Sequence, residues 1–289
     1  MYKVDQRKDL LGTTVKVVAT FDDKKIFELI DQAFLECERI EKSFSRFIDS
    51  GELFNLNNNL GKWTTVSKEL YGLIKYGIFL KENTEGAFDL TVKSVLDSWG
   101  YDKDYSFQEG GALSLGNVQI ADNNMVKIES EIDLGGFGKG YAVDRMANIL
   151  KDCKDFCVNA GGDIFAKGHN PEGKAWRVLF EHPLDNSQAI GYVDTYSIAC
   201  ASSSANRRKW KDKHHLVDAR MLRPADDMLA VYTQAKSTID ADAYATAFFV
   251  SGYSAAIALE KNFPVEAMFV SKTGDIYRSK GFEGELFLT

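Results

Sequence analysis

The sequence predicts an α+β fold, on three observations. Helical and strand-like segments are mixed along the chain without a sustained strand–helix alternation, which disfavours a doubly wound parallel sheet. The chain has 289 residues, 45% hydrophobic and 27% charged, so it can bury most of its apolar surface without crosslinks. No internal repeat, low-complexity tract or linker divides it, so residues 1–289 read as a single domain.

Each element follows from a local pattern. Thr13-Thr14-Val15-Lys16-Val17-Val18 alternates as a strand does. After Asp22, the residues Ile26, Ile30, Phe34, Cys37, Ile40 and Phe44 recur at spacings of three and four, which predicts a helix with one apolar stripe. Asp49-Ser50-Gly51 and Asn57-Asn58-Asn59 carry turn chemistry. Ser67 reads as the N-cap of a second helix carrying Leu70, Leu73, Ile74 and Ile78. A third helix is expected from about Gly140, with Ala142, Val143, Met146, Ala147 and Leu150 on its apolar side. Short strands follow at Cys157–Ala160, Trp176–Phe180 and Ile190–Val193, separated by Gly, Asn and Pro turns. Helices are expected over Asp240–Val250 and from Ser254, then a strand over Val265–Val270 and a hairpin turn at Thr273-Gly274-Asp275.

Composition excludes several classes. A net charge of −7 argues against nonspecific nucleic-acid binding, which needs clustered Lys and Arg. No apolar run reaches the length that spans a bilayer. The first residues carry neither a leader pattern nor a lipidation cysteine, so the reading is cytoplasmic. Cys37, Cys153, Cys157 and Cys200 are too few and scattered for a disulfide framework and read as buried small hydrophobes.

Four segments are candidates for chemistry. Asp133-Leu134-Gly135-Gly136-Phe137-Gly138-Lys139-Gly140 combines close backbone approach, free N–H groups at a helix start and one cation, a setting for an anion. It is neither the Walker pattern nor Gly-x-Gly-x-x-Gly, and a plain tight turn with an exposed Lys fits it equally. Asn159-Ala160-Gly161-Gly162-Asp163 reads by itself as a strand-to-strand turn. Asp242 and Thr246 lie one turn apart on an otherwise apolar helix. An Asp there must be paired or bound to a cation if buried, and hard oxygens suit Mg²⁺; the bland alternative is a solvent-facing stripe. His214-His215 follows the basic run Arg207–Lys211. Zinc would need a third ligand, and His169 sits at a turn, so the zinc reading is weak. The basic run is either a solvated loop or an entry patch for a phosphorylated ligand.

These segments, in this order, resemble the ApbE family of FAD:protein FMN transferases. The resemblance runs from Gly12-Thr13 through Phe44-Ser45-Arg46-Phe47, Gly86-Ala87-Phe88-Asp89-Leu90-Thr91, Trp99-Gly100, the Asp133 and Asn159 segments, Ser202–Asp218 and the Asp242 helix. It implies mixed, largely antiparallel sheets with flanking helices. It implies FAD as substrate with Mg²⁺ at its pyrophosphate, held by Asp242, Thr246 and the Gly136 carbonyl. Contacts to FAD are implied for Leu11, Phe47, Ala87, Phe88, Asp89, Asp133, Lys139, His215 and Leu216. The implied reaction moves FMN onto a Thr or Ser hydroxyl of an acceptor flavoprotein. Since those hydroxyls need a base, His215, Asp218 and Asp242 are candidates, with His215 and Asp242 expected to be catalytic. Where many relatives carry Asp-Pro-x-Thr-Gly, this chain has Asp218-Ala219-Arg220-Met221-Leu222. That altered loop gives weight to one alternative, an FAD-binding protein without transfer; the resemblance also implies another, a Mg²⁺-dependent FAD pyrophosphatase giving FMN and AMP.

Overall fold

A computed structural model describes residues 2–102 and 104–287. The architecture is α+β, as the sequence predicts. At its centre is an eight-stranded sheet whose neighbours all pair antiparallel. Across the sheet lie Tyr2–Leu10, Thr13–Phe21, Asp155–Ala160, Asp163–Lys167, Ser197–Ser204, Met228–Ala235, Glu266–Ser271 and Ile276–Arg278. Two three-stranded sheets flank it, one built on Trp176–His182 and Asp185–Thr195 with Glu285–Leu286, the other on Thr64–Thr65, Val118–Ala121 and Met125–Ile128.

The helices are α1 (Lys25–Phe44), α2 (Gly51–Asn57), α3 (Lys68–Asn83), α4 (Lys93–Ser98), α5 (Gly138–Ile149), α6 (Thr238–Ser251) and α7 (Tyr253–Glu260). In α1 the predicted stripe is the buried one: Ile26, Ile30, Phe34, Cys37, Ile40 and Phe44 all face the core. Full burial of each large apolar side chain is worth about 1.5–3 kcal/mol, which outweighs the many charges on the opposite face. Ser67 caps α3 by accepting the Leu70 N–H at 3.0 Å. Among the described residues no helix is long and apolar enough to cross a membrane. Cys37, Cys153 and Cys200 are buried and Cys157 partly so; burial pushes the Cys37 and Cys157 thiols up to about 12, as befits packed, unreactive groups.

Several elements go beyond the sequence reading, among them α4 and the central strands Ser197–Ser204 and Met228–Ala235; two more bear on the edge of the sheet and on the approach to the site. Tyr2–Leu10 is a nine-residue strand at the sheet edge. Val4 is buried, but Lys3, Asp5, Arg7, Lys8 and Asp9 are exposed, so the strand shows no two-residue period. Charged edges of this kind also discourage pairing with other chains. The residues between the two expected turns form α2, and Asn57 is its last residue. Asn57 is buried and bridges Ile132 through both its amide oxygen and nitrogen, at 2.9 and 3.0 Å. It thereby braces the backbone that leads into Asp133.

The topology brings distant segments to one end of the central sheet. Val15 pairs with Ala160 and Ala160 with Asp163, so the start of one strand and the Gly161-Gly162 turn lie side by side. Ser202, Ser203 and Ser204 end a neighbouring strand at the same level. Helix α5 packs against α1 and α6, and α6 lies on the strands Ser197–Ser204 and Met228–Ala235.

Candidate active site

A cavity of about 370 Å³ opens at that end of the sheet. Its floor is a charge cluster. Lys139, in the first turn of α5, sets its ammonium 2.6 Å from Asp163 Oδ2 and 3.3 Å from both carboxylate oxygens of Asp242. The Gly140 N–H donates to Asp242 Oδ2 at 2.9 Å. Asp242 is 3% exposed and Asp163 2%, so both carboxylates have left water. Burial, followed by the like charge of Asp242, pushes Asp163 above the ordinary carboxylate range. Asp163 and Asp242 in turn hold Lys139 charged against its own desolvation, and its pKa is raised.

Helices α5 and α6 approach unusually closely to build this cluster. A Cβ on Gly140 would overlap the Thr238 carbonyl oxygen and sit 2.7 Å from Asp242 Cβ. Asp144, one turn further along α5, accepts the Thr238 and Ile239 N–H groups at 2.7 and 2.9 Å and so caps α6 from its neighbour. Gly136 is equally constrained, because a Cβ there would lie 2.6 Å from the Phe88 ring and 3.4 Å from the Thr246 methyl. Its backbone therefore lies beside Thr246, whose hydroxyl is 3.3 Å from that of Ser203.

A second, largely apolar cleft of about 220 Å³ adjoins the first. Leu11, Ile40, Phe44, Leu73, Leu134 and Tyr141 line it, and Phe47, Asp133 and Lys139 border both. Phe47 stacks on Tyr105 at 5.5 Å and lies under the Arg46 guanidinium at 4.2 Å. Arg46 is bound to Asp97 at 2.8 Å and to Asp133 at 3.2 Å. Phe88, Asp89, His215 and Leu216 line the first cavity. Asp89 accepts the Thr91 N–H at 2.8 Å and is paired from behind with Lys81 at 2.6 Å. Ala87 is fully buried and lines neither cleft; its carbonyl accepts the Ala219 N–H at 3.1 Å.

The neighbouring histidines differ. His214 is buried, accepts the Leu216 N–H on Nδ1 at 3.2 Å and packs edge-on against Phe249. His215 faces the cavity with a buried Nδ1 that has no hydrogen-bond partner. Burial, then the charge of Arg208, holds its pKa well below the ordinary value of 6.5, which favours the neutral imidazole. Asp218, a candidate base from sequence, is not among the cavity-lining residues. It is engaged by Arg220 at 2.8 Å within its own loop.

Among the described residues no group of three or more His, Cys, Asp or Glu forms a ready-made metal cage. The donors at the cluster nevertheless fit a hard cation. Two buried carboxylates face one ammonium, and a hydroxyl and a glycine backbone stand alongside, a set of hard oxygen donors. Asp242, Thr246 and Gly136 would hold Mg²⁺ only with further oxygens from water or ligand.

Sequence reasoning missed Asp163 as a site residue, although the Gly161-Gly162-Asp163 segment had been singled out. It also gave no role to Ser203, Arg46 or Asp144. The available signal was the pair of glycines before a charged residue at a strand start.

The fold is thus an antiparallel α+β protein with two adjoining clefts and a lysine held by two buried carboxylates at their junction. A sequence profile of the ApbE family matches residues 11–269, and the chain belongs to that family. It is 26% identical to the FAD:protein FMN transferase of Vibrio cholerae, over 89% of this chain and 82% of that one. It is 22% identical to the FAD:protein FMN transferase of Escherichia coli K12, over 89% of this chain and 81% of that one. The crystal structure of the ApbE protein from Thermotoga maritima superposes with a TM-score of 0.88 at 28% identity, covering 96% of this chain and 97% of that one. The flavin transferase ApbE from Vibrio cholerae shares the fold with a TM-score of 0.84 at 23% identity, covering 97% of this chain and 98% of that one.

Proposed function

We propose that this chain is a Mg²⁺-dependent FAD:protein FMN transferase, moving FMN from FAD onto a Thr or Ser hydroxyl of an acceptor flavoprotein and releasing AMP. The observation that carries the reading is the convergence of Asp242, Thr246, Gly136 and Lys139 at one cavity floor, with a neutral His215 on its wall.

FAD binds across the two clefts, with Leu11, Phe47, Phe88 and Leu216 as apolar contacts and Asp89 and Asp133 as polar ones. Ala87 acts through its backbone, by holding the Ala219 loop. Asp242, Thr246 and the Gly136 carbonyl would hold Mg²⁺, which would supply positive charge where the phosphoanhydride oxygens gain negative charge. Lys139 adds a second positive charge there, held in place by Asp163. His215 takes the proton of the acceptor hydroxyl as its oxygen bonds to the FMN phosphorus. The bond from that phosphorus to the bridging oxygen breaks, and AMP leaves with the electron pair.

A second reading, FAD hydrolysis to FMN and AMP, draws support from the loop after Asp218. That loop reads Asp218-Ala219-Arg220-Met221-Leu222, departs from the Asp-Pro-x-Thr-Gly that the resemblance implies, and is closed by the Asp218–Arg220 pair. One experiment separates the readings. The protein is incubated with FAD, Mg²⁺ and a flavin-acceptor domain, and products are followed by mass. Acceptor gaining one FMN supports transfer; AMP without covalent flavin supports hydrolysis; neither product rejects both.

A further inference from the structure

A Ser or Thr hydroxyl on an α-helix commonly bonds to the carbonyl one turn earlier. Two hydroxyls of this protein do so. Ser251, at the end of α6, donates to the Ala247 carbonyl at 2.7 Å, and Thr84, at the end of α3, donates to the Leu80 carbonyl at 2.8 Å. Thr246, on the same helix as Ser251, differs. Among the described residues its hydroxyl has one hydrogen-bond partner, the Ser203 hydroxyl, with the two oxygens 3.3 Å apart.

The sheet places Ser203 for this contact. Side chains alternate along a strand. Of the three serines that end Ser197–Ser204, Ser203 is buried, whereas Ser202 is exposed and Ser204 donates to Asn206 in the turn that follows. Helix α6 lies on this strand, so Ser203 and Thr246 meet across the helix–sheet contact, and both line the first cavity. Ser203 is 7% exposed and Thr246 partly exposed, so Thr246 presents to the cavity and Ser203 stands behind it. Among the described residues the Ser203 hydroxyl has no other hydrogen-bond partner, so no protein group competes for its oxygen.

We infer that Ser203 is a positioning residue that acts through Thr246: its oxygen accepts the Thr246 O–H and so leaves the Thr246 lone pairs free for a divalent cation. This rests on the cation reading above. A hydroxyl carries one proton and two lone pairs, and a hydroxyl that ligates a cation must turn its proton elsewhere. Groups that hold a ligand in that orientation tune metal affinity without touching the metal. Without the Ser203 oxygen, the Thr246 proton turns back to the Asp242 carbonyl, as the Ser251 and Thr84 protons do to theirs, or out into the cavity, where it opposes the cation.

The test uses Mn²⁺ as the probe, its binding read from loss of the free ion's paramagnetic resonance signal, in the protein alone and with FAD. It compares wild type, Ser203→Ala, Ser203→Thr, Thr246→Val and the double variant Ser203→Ala/Thr246→Val, with FAD affinity in the absence of metal and denaturation midpoints as controls. Ser203→Ala is expected to weaken Mn²⁺ binding roughly three- to tenfold, the scale of one net hydrogen bond, with metal-free FAD affinity within about twofold of wild type. Ser203→Thr keeps the acceptor oxygen and should restore binding. Because Ser203 acts through Thr246, the double variant should bind Mn²⁺ no more weakly than Thr246→Val. Unchanged Mn²⁺ affinity in Ser203→Ala overturns the inference, as does an additive loss in the double variant or an equal loss of metal-free FAD binding. If Thr246→Val weakens Mn²⁺ binding and Ser203→Ala does not, the inference falls and the cation reading stands. If wild type binds no Mn²⁺ under either condition, both fall.

Discussion

Asp242 accepts the backbone N–H of Gly140 at 2.9 Å, joining helix α6 to the first turn of α5 across 102 residues of sequence. The bond orients one carboxylate oxygen and leaves the group facing Lys139 and the cavity. It exists because position 140 has no side chain, so the two helices can touch through backbone.

Gly140→Ala should therefore be damaging although alanine favours helices. The new methyl overlaps the Thr238 carbonyl, which is backbone and cannot rotate away. The expected loss is about 1–3 kcal/mol, the range for overpacking a tight interior. A urea midpoint equal to wild type would show that α5 and α6 separate freely.

Asp242→Ala and Asp242→Asn should both abolish product formation, since each removes the carboxylate charge assigned to the cation shell. Thr246→Ala should be milder, because water can replace a neutral hydroxyl, and should show mainly as a several-fold higher Mg²⁺ requirement. Turnover against Mg²⁺ concentration for the three variants is the measurement. Wild-type turnover in Asp242→Ala would remove both the cation site and the enzyme reading.

Lys139→Met leaves two buried carboxylates without their ammonium. Breaking a buried pair in this way costs about 3 kcal/mol or more. Thermal unfolding of the free protein should shift down accordingly, and Mg²⁺ should recover more stability in the variant than in wild type, because the cation then meets carboxylates with no competing ammonium. Equal Mg²⁺ stabilisation of both proteins would argue against a cation at this cluster.

The histidine pair should separate stability from chemistry. His214→Ala loses a buried hydrogen bond and a packed ring, and should lower stability while turnover at permissive temperature stays near normal. His215→Asn should remove turnover and also flatten the pH dependence of stability. The folded pKa of His215 lies below the unfolded one, so on acidification the unfolded chain takes the proton first. Its contribution is complete above pH 6.5 and is lost as pH falls below it, by up to about 1.4 kcal/mol per pH unit. Between pH 7.5 and 5 the wild-type denaturant midpoint should fall more steeply than that of His215→Asn. Parallel curves would mean that His215 is not held neutral by the fold.

Much of the architecture was legible before any coordinates. The α1 stripe, the Ser67 cap and the Asp242–Thr246 turn are local patterns, because a helix repeats its environment every three or four residues. The family resemblance and the cavity residues Phe47, Phe88, Asp133, Lys139, His215 and Leu216 were likewise readable from short motifs. The edge strand Tyr2–Leu10 was not, since little of it is buried and no period results. Nor could sequence choose among the candidate bases. Asp218 and His215 are near neighbours in the chain, but one is consumed by Arg220 and the other faces the cavity unpaired. Asp163 reads as an ordinary turn residue until the sheet sets it against Lys139 and α6 adds Asp242. Charge pairing acts through space at a few ångströms and carries no signature in residue spacing. Helices α1, α3, α5 and α6, the strand at Thr13–Phe21 and the site motifs therefore belong to the sequence itself, whereas which carboxylates share one ammonium and which histidine turns an unpartnered Nδ1 to the cavity are decided only when the sheet brings segments a hundred residues apart into contact.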